Sequence, residues 1–167
     1  MNNDKRKMRH RNISAPFTRT EYINRIPQGK EKDMKWTYGD CNKSFPNELK
    51  LVSTNIHYLS VNSLDAVRIA MTHVLGSDEG FYFMQIHPYP HIFLREHGLL
   101  GVAKAERMAK GMKHSFGKPS TRVALVRPNQ QLITLRVNDD LLKKGRSALE
   151  IAGKKLACGT KIEERHT

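Results

Sequence analysis

The sequence predicts an α+β fold: an antiparallel or mixed β-sheet packed with two α-helices as a sandwich, with a basic N-terminal arm and a long internal loop. Three observations lead there. Two stretches repeat apolar residues at helical spacing, within 62–76 and 138–156. Several shorter stretches alternate or concentrate β-branched and aromatic residues, as strands do. Residues 1–20 and 98–111 show neither pattern. The chain therefore divides into an arm, 1–20, and one domain, 21–167, with a loop at 98–111.

The elements follow in order. In the arm, Lys5, Arg6, Lys7, Arg9, Arg11 and Arg19 are spaced by small and polar residues. Such arms order against nucleic acid. Glu48 to Ser53 alternates, with Leu49, Leu51 and Ser53 on one face and Glu48, Lys50 and Val52 on the other: a half-buried strand. Asn62 or Ser63 offers an N-cap, with Asp65 in the first turn. Leu64, Val67, Ala70, Met71, Val74 and Leu75 form one apolar stripe, and Gly76 stops the helix. Gly80 to His87 reads as a buried strand whose aromatics pack in the core and do not stack on bases.

A short strand is expected over His91 to Arg95, after Pro88 and Pro90. Gly98 to Gly111 is expected as a mobile loop with a helical turn over Ala103 to Ala109. Val123 to Val126 and Leu132 to Val137 read as a hairpin around Arg127-Pro128-Asn129-Gln130, because Pro presets φ and Asn favours turns. Asn138 or Asp139 caps the second helix. Its inner stripe is Leu141, Gly145, Ala148, Leu149, Ala152 and Leu156, and Lys143, Arg146 and Lys154 point outward. A last strand spans Gly159 to Arg165.

Charge narrows the function. The 167 residues hold 29 Lys+Arg against 16 Asp+Glu, a net charge of +13. Self-repulsion on that scale favours a polyanionic partner, nucleic acid before an anionic membrane. Solubility alone needs a charge of only ~2–8. The longest uncharged stretch, Gly80 to Leu94, is too short to span a bilayer and carries two prolines. The first residues are charged with no apolar core behind them, so no signal peptide and a cytoplasmic location are expected. Cys41 and Cys158 form no C-x-x-C pair; they fit one disulfide or, as a reducing cytosol favours, two thiols.

Chemistry finds no centre in the sequence. His87 and His91 have the i,i+4 spacing of a helical zinc site, but Pro88 and Pro90 forbid that helix. Packing or phosphate contact suits both better. Asp139-Asp140 fits capping, and Glu163-Glu164 would point to opposite faces of a strand. No Walker loop or nucleophile motif is present. Neither catalysis, nor a metal, nor a cofactor is expected. Cations do cluster: Lys110, Lys113, His114, Lys118 and Arg122 share a stretch with Gly111, Gly117 and Pro119. Flexible backbone interleaved with cations follows a phosphate path, and such contacts position a protein more than they read bases. Three classes remain: a ribosomal structural protein, an enzyme acting on RNA, and a free RNA chaperone or assembly factor.

Ordered motifs then separate these classes. Gly111-Met112-Lys113-His114-Ser115-Phe116-Gly117-Lys118-Pro119 resembles the G-M-[RK]-x-x-[FW]-G-K-P segment of the universal large-subunit ribosomal protein L-sixteen family, in its archaeal–eukaryotic L-ten-e branch. Thr18-Arg19-Thr20-Glu21-Tyr22 and Ile26-Pro27-Gln28 resemble its N-terminal region, and Leu64 to Ala70 its first helix. His87-Pro88-Tyr89 with Leu94-Arg95 resembles its H-P-[FY]…L-R segment. The similarity runs from about residue 16 to 165, and the length is that of an archaeal member.

The resemblance implies an α+β fold embedded in large-subunit rRNA beside the aminoacyl-tRNA corridor. Its implied partners are that rRNA, the neighbouring 5S rRNA and ribosomal proteins, and A-site and P-site tRNA. Neither a membrane nor a second copy of the chain is among them. RNA-binding residues are expected at Lys5, Arg6, Lys7, Arg9, Arg11, Arg19, Arg25, Lys30, His87, Arg95, Lys113, His114, Lys118 and Arg122. Lys104, Arg107 and Lys110 would lie on the loop facing tRNA and the peptidyl transferase centre. Here the chain departs from its family: Ala103-Lys104-Ala105-Glu106-Arg107 stands where A-G-A-D-R is usual, which adds charge and removes a glycine's freedom. The family's usual R-P-x-R-C-Y-R start is absent, and Gly29 stands where archaeal relatives often have proline.

Overall fold

A computed structural model describes residues 34–76, 81–96 and 118–166 of the chain. The basic arm and the 98–111 loop lie outside the described residues. The strands are β1 (Thr37–Tyr38), β2 (Asn47–Ser53), β3 (His57–Ser60), β4 (Tyr82–Ile86), β5 (Ile92–Glu96), β6 (Lys118–Val126), β7 (Gln131–Val137) and β8 (Thr160–His166). The helices are α1 (Val61–Leu75) and α2 (Leu142–Lys155). The class is α+β, but the strands form two sheets where one was expected. One has the order β1-β4-β7-β2-β8, the other β3-β6-β5, and every pairing is antiparallel.

β2 alternates as its sequence predicts as far as Leu51. Leu49 and Leu51 are buried, while Glu48 and Lys50 are partly exposed. Val52 departs from the pattern and is buried. The β2–β7 register shifts at the same point: Leu51 pairs with Ile133 and Val52 with Gln131, so Leu132 is the extra residue of a bulge in β7.

α1 starts earlier than Asn62 or Ser63. β3 runs straight into it, and Ser60, still extended at φ −76° and ψ 153°, is the N-cap. Ser60 Oγ accepts from the Ser63 amide at 3.2 Å, and Ser63 Oγ donates to the Ser60 carbonyl at 2.8 Å. Asp65 therefore falls beyond the first turn. It pairs with Arg68 at 2.8 Å, and Arg68 donates to the Tyr38 hydroxyl at 2.9 Å, tying α1 to β1. Gly76 ends the helix at φ +95°, a conformation that favours glycine.

The expected hairpin is corrected. The turn itself forms: Asn129 has φ +61° and the Gln130 amide donates to the Arg127 carbonyl at 3.2 Å. Yet β6 and β7 do not pair. β7 is a central strand whose edges are taken by β4 and β2, so the turn carries the chain from one sheet to the other. It is anchored on β2 by Asn129 N to Ser53 O at 2.8 Å and Ser53 N to Gln130 O at 2.9 Å. β6 also begins at Lys118, five residues before the expected Val123, because β5 pairs with its first half. Pro119 lies where the β5–β6 register shifts, a place where a missing amide is tolerated.

Asn138 precedes a 3₁₀ turn, Asp139–Leu141, without a side-chain cap bond, and α2 follows. The inner stripe of α2 is as expected: Gly145, Ala148, Leu149 and Ala152 are buried, followed by Leu156, and Leu141 packs on the same core. Gly145 sets how closely α2 approaches the sheet. A Cβ there would lie 3.1 Å from Leu49 Cδ1 and 3.2 Å from Leu135 Cδ2.

The main core lies between the five-stranded sheet and the two helices, with Leu49, Leu135, Met84, Val67, Met71 and Leu149 all buried. Each such side chain contributes about 1.5–3 kcal/mol by burial. Leu59 of β3 and Val126 of β6 join it, so the small sheet shares the main core. A second cluster, Tyr58, Ile92 and Val123, consolidates the small sheet. Cys158 is buried, Cys41 is exposed, and both are free thiols. Burial pushes the Cys158 thiol's pKa up.

Candidate nucleic-acid interface

Alternation in β2, β4, β7 and β8 gives the five-stranded sheet two unlike faces. α2 packs on the face of Leu49, Leu135 and Val137. The opposite face carries two cross-strand rows. One runs Phe83, Arg136, Glu48, Arg165 across β4, β7, β2 and β8. The other runs Thr37, Gln85, Thr134, Lys50, Glu163 across all five strands. Glu163 and Glu164 part as the sequence predicts. Glu163 takes the Lys161 ammonium at 3.4 Å on the polar face, and Glu164 takes Arg146 of α2 at 2.5 Å on the other.

The rows are wired. Glu48 accepts from Arg136 Nε at 3.2 Å and pairs with Lys50 at 3.0 Å. The Arg136 guanidinium also sits 5.5 Å from the centre of the Phe83 ring. Burial alone would push the Glu48 pKa up; the hydrogen bonds and charges of Lys50 and Arg136 outweigh it and hold the pKa below its ordinary value. Four cations (Lys50, Arg136, Lys161 and Arg165) thus share this face with two carboxylates, Glu48 and Glu163.

His87 belongs to the same face. Its Nε2 shares a hydrogen bond of 2.7 Å with the Thr134 hydroxyl, which also accepts from the Gln131 side-chain amide. Burial, then the charge of Lys50, lowers the His87 pKa, against a smaller opposing effect of Glu48. His87 is therefore neutral at pH 7 and offers a hydrogen bond, not a charge. His91 is engaged elsewhere, through Nδ1 and the Tyr89 carbonyl at 2.9 Å. Among the described residues no group of three or more His, Cys, Asp or Glu is placed to hold a metal ion.

A second cationic element lies on the small sheet. Arg122 of β6 pairs across strands with Phe93, and its guanidinium lies 4.9 Å from the ring centre. At that distance the Arg122 charge makes a cation–π contact with the Phe93 ring. The β5–β6 register sets Arg95 opposite Pro119 and Glu96 opposite Lys118. One ribbon thus brings the backbones of Arg95 and Lys118 together, with Arg122 four residues further along β6. His87 is on the other sheet. Lys5, Arg6, Lys7, Arg9, Arg11, Arg19, Arg25, Lys30, Lys104, Arg107, Lys110, Lys113 and His114 lie outside the described residues.

Two features refine the sequence reading. Tyr82 and Phe83 are buried as expected, but Phe81 is 56% exposed with the Lys43 ammonium 5.9 Å from its ring centre. Lys50 and Arg136 were not singled out as interface residues, although the alternation of β2 already placed Lys50 on the solvent side.

An α+β domain with a charged sheet face and an arginine stacked on a strand is the kind of protein that holds a polyanion by charge and shape. Comparison with known proteins gives that class its family. Residues 12–163 match the family of ribosomal protein L16p/L10e. The chain is 38% identical over 159 residues to a large ribosomal subunit protein uL16 of Saccharolobus solfataricus, covering 92% of this chain and 88% of that one. Proteins of the same name from Saccharolobus islandicus and Metallosphaera sedula are 39% and 33% identical, again over 92% of this chain. The chain belongs to the ribosomal protein L16p/L10e family, with archaeal relatives as its sequence led one to expect. It is a structural constituent of the large ribosomal subunit, working in translation in the cytoplasm.

Proposed function

We propose that the chain binds large-subunit rRNA and helps form the aminoacyl-tRNA corridor near the peptidyl transferase centre. The observation that carries this reading is the family match over residues 12–163 in a chain of net charge +13. In this reading the arm cations from Lys5 to Arg19, with Arg25 and Lys30, neutralise rRNA phosphates. Lys113, His114, Lys118 and Arg122 follow a phosphate path, joined by Arg95, and His87 adds a hydrogen-bonding group without a charge. Lys104, Arg107 and Lys110 face A-site and P-site tRNA, and 5S rRNA and ribosomal proteins are neighbours. The protein's part is electrostatic and steric: it offsets phosphate repulsion and fixes the shape of RNA.

The test is reconstitution. Archaeal large subunits assembled with the wild-type chain should retain it through a high-salt wash. Subunits carrying Lys104→Gln, Arg107→Gln and Lys110→Gln together should retain the chain yet bind aminoacyl-tRNA more weakly. Loss of the chain in the wash would contradict rRNA anchoring, and unchanged tRNA binding would contradict the loop's role.

A further inference from the structure

We infer that the exposed face of α2 is a second RNA-contact surface, a lysine clamp on the opposite side of the five-stranded sheet from His87 and Lys50. The inference rests on the rRNA-binding reading above and adds a site to it. The domain would then be a wedge held between two RNA segments.

The clamp is read from residue positions. Lys143, Ser147, Glu150 and Lys154 follow one another down one line of the helix, at i, i+4, i+7 and i+11. Lys144 and Lys155 flank that line. All four lysines are exposed. The inner stripe, Gly145, Ala148, Leu149 and Ala152, is on the opposite side of α2, against the sheet. The lysines thus form two pairs at the two ends of one exposed face. At about 1.5 Å per residue the pairs are roughly 16 Å apart along the axis. That is too far for one phosphate and suits separate points on the backbone of folded RNA.

Charge bookkeeping makes the partner anionic. Among the described residues none of these four lysines forms an ion pair, whereas Glu48, Asp65, Glu163 and Glu164 are all engaged elsewhere. Glu150 is the one carboxylate within the face. Lys154 and Lys155 have a structural reason to be there, since cations suit a helix C-terminus. Lys143 and Lys144 do not. They stand in the first turn, against the positive end of the helix, and α2 has no acid in that turn. Asp139 and Asp140 precede them, but Asp139 is engaged by the Asn47 side chain and no ion pair joins Asp140 to either lysine among the described residues. Two ammonium groups at the unfavourable end add repulsion to a chain already at +13. Phosphates along this face would offset both costs.

The experiment uses the full chain and an archaeal large-subunit rRNA transcript. Salt dependence of binding and a hydroxyl-radical footprint are measured for the wild type and for Lys143→Gln, Lys144→Gln, Lys154→Gln and Lys155→Gln combined. Glutamine has nearly the helix propensity of lysine, so α2 is retained, and circular dichroism checks it. The wild type should protect two separate tracts of RNA. The variant should lose one tract, keep the other, and show a slope of log K against log salt shallower by roughly 3 to 4, about 0.7–0.9 per phosphate released. A steep wild-type slope with an unchanged variant slope and footprint overturns the inference alone, and assigns the face to solvent or a neighbouring protein. Uniform fading of both tracts overturns it too, because a loss of net charge then suffices. A flat wild-type slope overturns the rRNA-binding reading itself.

Discussion

Leu49 and Lys50 are adjacent in β2 and lie on opposite faces of the same sheet. Leu49 packs under α2, within reach of Gly145 and beside Leu135. Lys50 stands between Thr134 and Glu163 and pairs with Glu48. The first face holds the fold together by excluding water. The second is wired by charge-assisted hydrogen bonds that remain partly solvated, so each bond contributes little to stability. One face can therefore be altered only at the cost of the fold, while the other can change its ligand without losing the scaffold.

That contrast can be broken or sharpened by substitution. The largest effect is expected for Leu149→Ala, which opens a cavity in the helix-covered face and should cost about 2–5 kcal/mol in urea unfolding. Gly145→Leu is next. It forces α2 away from Leu49 and Leu135 and should cost ~1–3 kcal/mol by overpacking. A change below ~0.5 kcal/mol in either would show that the helix face is looser than its burial implies.

The pH dependence comes from the other face and from His57. Burial lowers the His57 pKa, and burial with Lys50 lowers that of His87. In the unfolded chain both take a proton more readily, so acid favours unfolding. Stability should be full above their ordinary value, ~6.5, and fall as pH drops through the lowered folded values. Glu48, also lowered, adds a further loss below the ordinary carboxylate range, near ~4. The urea midpoint should thus hold from pH 8 to 7 and decline toward pH 4; a midpoint that rises on acidification would contradict the assignment of these groups. The smallest effects are the most discriminating. Arg122→Gln should reduce the salt slope of RNA binding by roughly 0.9, whereas His87→Gln at pH 7.5 should weaken binding with the slope unchanged, because His87 brings no charge.

Local patterns were legible in the sequence where one face is buried. The stripe of α2 and the alternation of β2 up to Leu51 read directly, because side-chain period is fixed by backbone geometry. What failed was pairing. Nothing local to Arg127-Pro128-Asn129-Gln130 says that both edges of β7 are already occupied by β2 and β4, so a correct turn was read as a hairpin. β3 was missed because His57–Ser60 is only four residues long and passes into α1 without a loop. For the same reason the Ser60 cap was placed two or three residues late. Of the candidate interface, Lys118 and Arg122 were found by charge density. Their setting on a strand depends on β5, a distant partner in sequence. Arg136 carried no signal of its own: its place beside Glu48 and Phe83 exists only once β2, β7 and β4 are aligned.

The central claim, an RNA partner held by charge and shape, is tested most directly by binding of the purified full chain to an archaeal large-subunit rRNA transcript across a salt series. About six to ten phosphate contacts should reduce affinity by ~10³–10⁵ between 50 and 200 mM salt. A nearly flat dependence would contradict the claim.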